Sequence, residues 1–96
     1  MARRTPQQQS KHDRGVEALA KYYESQGYTV RADIHGYEQP KTLEGRRPDV
    51  IATGNGEKVI VEVETRDSLD TDKSQRETFK EYADSHKNIR FWTKTV

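Results

Sequence analysis

Asp49 opens the segment PDVIATGNGEKVIVEVE, and Glu62 and Glu64 close it, so carboxylates stand at both ends of the most strand-like part of the chain. Asn55-Gly56 between them is a strong hairpin signal, because both central positions of a type I′ turn need positive φ. With these two as the loop, paired positions sum to 111, and Val50 faces Val61, Ile51 faces Ile60, Ala52 faces Val59 and Asp49 faces Glu62. The two-residue period puts Val50, Ala52, Val59, Val61 and Val63 on one face, and Asp49, Ile51, Ile60, Glu62 and Glu64 on the other. Directly opposed carboxylates destabilise a strand pair unless something offsets their repulsion. A divalent cation would do so, since hard ions such as Mg²⁺ take oxygen ligands, often one or two carboxylates completed by water and phosphate oxygens. Glu64, on the same face, is then a third ligand or the group that deprotonates a water. The plainer alternative is a solvated sheet face with Glu64 salt-bridged to Arg47 across the strands.

The flanking segments must hold this hairpin in place. Val16, Leu19, Ala20 and Tyr23 recur at helical spacing, which predicts a helix from about His12 to Gln26, with Gly27 where a C-cap belongs. Residues 28–34, YTVRADI, alternate as a half-buried strand, and HGYEQPKTLEGR reads as a loop. Ser68, Asp70 and Thr71 offer capping groups for a second helix from Thr71 to Ser85, whose Gln75, Phe79, Tyr82 and Ala83 share a face. IRFWTKTV is a last strand with Ile89 and Phe91 on one side and Arg90 and Trp92 on the other. The order is α, β, β, β, α, β. His12, His35 and His86 share no ligand spacing, so a zinc site is not expected. The aromatics are read as mainly core or interface groups.

Taken together, Pro48-Asp49, a gap and Glu62-Val63-Glu64 resemble the signature of the PD-(D/E)XK nuclease superfamily, and the chain is similar to archaeal Holliday-junction resolvases and related small nucleases. RGVEALAKYYESQGYTV resembles their opening helix and entry to the first strand. The resemblance implies a restriction-endonuclease-like α/β (α+β) core, a central mixed sheet flanked by helices. It implies Mg²⁺ (or Mn²⁺) held by Asp49, Glu62 and the backbone carbonyl of Val63, joined by Glu17 as the helix-borne acid. Gln75 with Phe79 resembles a Gln-x-x-x-Tyr element, which adds Gln75 to the catalytic set of Asp49, Glu62 and Glu64. The departure is Glu64, which stands where the superfamily usually carries a lysine that orients the water and stabilises developing charge. Lys58 and Lys73 are candidates for the missing cation. Arg14, Arg46, Arg47 and Lys73 are expected on DNA phosphates, which give affinity without sequence reading.

Composition sets the outer bounds. Ninety-six residues, 30% of them hydrophobic, allow one thin core, here expected as a basic, flexible arm over 1–11 and one domain over 12–96, with a homodimer expected as further support. Seventeen Lys and Arg against 16 Asp and Glu nearly cancel, so charge alone does not announce a nucleic-acid binder. The absence of cysteine excludes disulfides and thiolate metal sites, and no apolar run suits a signal peptide or membrane span, so a cytoplasmic protein is expected. The function expected is Mg²⁺-dependent cleavage of double-stranded or branched DNA; the alternative is a nuclease-fold protein that binds nucleic acid or a protein partner without cutting.

Overall fold

A computed structural model of the chain describes residues 5–66, 68–69 and 71–96. Arg3, Arg4 and the capping candidate Asp70 lie outside the described residues. The elements follow the expected order: α1 Pro6–Ser25, β1 Thr29–Ala32, β2 Val50–Gly54, β3 Glu57–Glu64, α2 Lys73–Asp84 and β4 Ile89–Thr95. Helix α1 begins at Pro6, earlier than the apolar periodicity indicates, so residues 6–11 are helix rather than arm. The physical reason is the terminus itself: Thr5 caps it by accepting from the Gln8 backbone N–H at 3.2 Å, and Pro6 sits where its missing N–H costs nothing. Helix α2 starts at Lys73 with Asp72 in the cap position, two residues later than expected, and Asp72 makes no side-chain capping bond. Among the described residues no helix is long and apolar enough to cross a membrane.

The sheet order is β1-β2-β3-β4. β1 pairs with β2 and β2 with β3 in antiparallel fashion, while β4 returns parallel to β3 after the α2 crossover, giving the mixed sheet expected. Asn55 (φ 51°) and Gly56 (φ 77°) both take positive φ, and β2 pairs with β3 in the register that these loop residues dictate, Val50 to Val61 through Gly54 to Glu57. A second turn of the same kind was hidden in the loop before β2: Glu44 (φ 53°) and Gly45 (φ 78°) reverse the chain between Leu43 and Arg46, which exchange backbone hydrogen bonds of 2.7 and 3.0 Å.

The two sheet faces are sorted as the alternation requires. Val50, Ala52, Val59, Val61 and Val63 pack under Val16, Leu19, Ala20 and Tyr23 of α1. Ile51 and Ile60 pack with Phe79 of α2, with Ile89 and Phe91 at the margin. Gly15 lets α1 approach β3 closely, because a Cβ there would lie 3.0 Å from Val63 Cγ1 and 2.9 Å from Val96 Cγ1. Gly15→Val should therefore lower the unfolding free energy by about 1–3 kcal/mol in urea titration, the overpacking cost outweighing any gain in helix propensity. Tyr22 (55% exposed) and Trp92 (39%) lie outside the core. Trp92 nonetheless donates its ring N–H to Tyr23 Oη at 3.0 Å.

Candidate active site

Asp49 lies immediately before β2 and Glu62 near the end of β3, and the hairpin register brings the two together. Each holds the other's strand. The Asp49 backbone N–H donates to Glu62 Oε1 at 2.9 Å, and the Val63 backbone N–H donates to Asp49 Oδ2 at 2.8 Å. Glu62 is 2% exposed and Glu64 fully buried, so the reading of these acids as a solvated face does not hold: α2 and the segment after β3 cover them. Burial first, and the Asp49 charge second, push the Glu62 carboxyl up to about 9, against the opposing pull of the Asp49 N–H and Gln75.

Gln75, in the first turns of α2, donates its amide to Glu62 Oε2 at 3.0 Å and approaches the Arg47 carbonyl at 3.4 Å. It thus ties the start of α2 to β3 and to the segment that leads into β2. Arg46 reaches the same helix end, donating to Ser74 Oγ at 3.0 Å beside the exposed Lys73. Arg47 turns away, donating to the Pro40 carbonyl and Gln39 Oε1, both at 3.1 Å. Arg14 is exposed on α1.

Glu64 does not pair with Arg47. Ser68 Oγ donates to Glu64 Oε2 at 2.6 Å, and Arg76 of α2 brings Nη1 to 3.5 Å from Oε1. Burial raises the Glu64 carboxyl above its usual range, while the Ser68 hydroxyl and the Arg76 charge work the other way. The cation nearest this carboxylate therefore comes from Arg76. Lys58 pairs with Thr53 and Ile89, at the far end of β3 from Glu64. Lys73 is exposed.

Glu17 is also placed differently from the expectation. Its carboxylate is 54% exposed and meets Lys21 at 3.6 Å, the i, i+4 pair of a helix surface. The group that α1 delivers to the acids is His12, which is 5% exposed. Its Nε2 lies 3.1 Å from Asp49 Oδ1 and its Nδ1 lies 3.1 Å from Asp13 Oδ1. The signal was present in the sequence, since His12 continues the Val16, Leu19, Tyr23 stripe one turn toward the N-terminus. Arg76 could have been found likewise, sharing a face of α2 with Phe79 and Ala83 at i, i+3 and i+7. Among the described residues no three His, Asp or Glu side chains converge as a ready-made metal cage.

A mixed four-stranded sheet between two helices, with paired acids from the ends of an antiparallel hairpin and a glutamine from the following helix, defines a restriction-endonuclease-like protein. The family model described as AHJR-like, REase_AHJR-like, matches residues 4–94, and the chain belongs to that family. No match was found among curated proteins.

Proposed function

We propose that the protein is a metal-dependent endonuclease that hydrolyses phosphodiesters of double-stranded or branched DNA, with Mg²⁺ or Mn²⁺ held by Asp49, Glu62 and the Val63 carbonyl. The observation that carries the reading is the interlocked Asp49–Glu62 pair, in which a buried glutamate is driven to about 9 beside another acid. The donor set fits a hard divalent cation, because such an ion takes carboxylate oxygens and relieves the repulsion that otherwise keeps Glu62 protonated. When bound, it supplies a lowered water pKa and charge neutralisation at the phosphate.

The chain's own residues do the rest. Gln75 holds the Glu62 carboxylate in place. Glu64, with Ser68 at one oxygen, receives a proton from the attacking water. Arg76 supplies the positive charge for which a lysine at position 64 was expected. Arg46 and Lys73, gathered at the N-terminus of α2, together with Arg14 and Arg47, contact DNA phosphates. Two copies, each cutting one strand, give a homodimer, supported by the thin core and the exposed Trp92 on the outer strand β4.

Calorimetric titration with Mg²⁺ and Mn²⁺ tests the cation site. The wild type is expected to bind either ion and Glu62→Ala to lose that binding; a wild type with no affinity for either sinks the reading.

A further inference from the structure

The sheet face that carries Asp49 and Glu62 continues past them into a basic groove. Thr29, Thr53 and Lys58 stand opposite one another in a row across β1, β2 and β3, and Arg31, Ile51 and Ile60 form the row between them and the acids. The two-residue period turns Lys58, Ile60 and Glu62 to the same side of β3. Tyr82 of α2 and the residues around Lys41 in the loop before β2 complete the lining of a groove of about 350 Å³, with Ile51 in its wall. Arg31, Lys41 and Lys58 all line it, and among the described residues that do so none is acidic. In a chain of net charge +1 this is a local concentration of like charge. Arg31 meets Glu38 at 3.1 Å, an exposed pair that solvent screens. Lys41 and Lys58 enter none of the ion pairs among the described residues. Lys58 is half-buried, so its ammonium is less free to swing away than that of a lysine out on a helix surface.

Converging cations repel one another until they share an anion, and this lining suits a sugar phosphate: charged donors for the phosphate oxygens, threonine hydroxyls beside them, and Ile51 and Tyr82 against the apolar side of the sugar. Position favours a polymer over a free ion. The four residues from Glu62 to Lys58 span about 13 Å of β3, a distance along which one DNA strand presents a phosphate every 3.4 Å or so of its axis. The Leu43–Arg46 turn links the two ends of that span, since Arg46 reaches Ser74 at the acid end while Lys41 lines the groove. We propose that the groove is a phosphate-binding subsite for the DNA backbone, remote from the cleavage point, in which Arg31, Lys41 and Lys58 hold the arm of the substrate that runs past Asp49 and Glu62 across β3 and β2. The subsite rests on the DNA substrate proposed above. It gives Lys58 a role at the end of β3 away from Glu64.

The test measures binding of a fluorescent DNA duplex and a branched DNA to the full chain by anisotropy, with chelator so that nothing is cut, from about 50 to about 200 mM salt. Lys41→Gln/Lys58→Gln is set beside Lys80→Gln/Lys87→Gln, which removes the same charge from exposed lysines outside the groove. Affinity should fall about 10–100-fold in the groove variant, with the slope of log affinity against log salt shallower by about 2, while the control stays within about threefold of the wild type. On the wild type itself, the backbone amide resonances of Thr29, Thr53 and Lys58 should shift when the duplex is added and stay in place with inorganic phosphate at the same phosphate concentration, a reading that needs no variant. A groove variant that matches the control, or resonances that move with inorganic phosphate and not with DNA, overturns the subsite and leaves the cation site standing. The expected loss in a protein that binds neither Mg²⁺ nor Mn²⁺ upholds the subsite and overturns the endonuclease reading. A wild type that binds neither DNA overturns both.

Discussion

Glu62→Gln is expected to remove most of the pH dependence of stability of the metal-free protein and to make it more stable than the wild type at pH 8. Glu62 has a carboxyl pushed up to about 9 in the folded chain against 4.5 in its ordinary state. Between those values the folded protein holds a proton that the unfolded chain has released. The unfolding free energy therefore falls as pH rises through this window, by up to roughly 1.4 kcal/mol per pH unit, and is flat below 4.5 and above 9. Glutamine keeps the volume and the acceptor for the Asp49 N–H but carries no proton to lose. Its amide group opposes the Gln75 amide, a fixed cost of about 1 kcal/mol that does not vary with pH. Urea unfolding at pH 5, 6.5 and 8 reads the difference: a steeply sloping wild type and a shallower variant, whose remaining slope comes from the raised carboxyl of Glu64. Saturating Mg²⁺ should raise the wild type at pH 8 and leave the variant unchanged, because a ligand stabilises only the form that binds it. A wild type whose stability is level from pH 5 to 8 would contradict the assignment of the buried proton.

Glu64→Lys, which installs the residue expected from the superfamily, should destabilise the fold by about 3–5 kcal/mol rather than improve the proposed activity. Position 64 is fully buried, Ser68 donates to its carboxylate, and Arg76 stands 3.5 Å from Oε1. A lysine would set an ammonium against a guanidinium at a buried position and leave Arg76 with no counter-charge. Glu64→Lys combined with Arg76→Glu reverses the pair and should recover a large part of the loss, a coupling that a double-mutant cycle in urea measures. Glu64→Lys as stable as the wild type would show that Arg76 and Glu64 do not depend on each other.

Much of this was legible in the chain. The Asn55-Gly56 turn determined the β2–β3 register, and that register made Asp49 and Glu62 neighbours, because a two-residue hairpin leaves no freedom in pairing. The apolar stripes located both helices and Gln75. What escaped depended on contacts between distant segments. Alternation can say that Glu62 and Glu64 share a face but not that α2 covers it, so a solvated face and a buried one read alike. Glu17 and His12 both sit on α1, and only the packing of α1 on the valine face decides which reaches Asp49. The arrival of Arg76 at Glu64 likewise depends on the β3–α2 crossover. The Glu44-Gly45 turn was missed because glutamate seldom takes positive φ and does not announce the turn as asparagine does.

Asp49 and Glu62 are proposed to form the cation site of a phosphodiester hydrolase. Cleavage of supercoiled and branched DNA by the wild type, with Mg²⁺ or Mn²⁺ and with chelator, set beside Asp49→Ala and Glu62→Ala, tests it most directly. The expected result is metal-dependent cleavage that falls at least about 10²–10³-fold in each variant, the scale on which loss of a key electrostatic group acts. Absence of cleavage by the wild type with either ion on both substrates, or undiminished cleavage by Asp49→Ala, would contradict it.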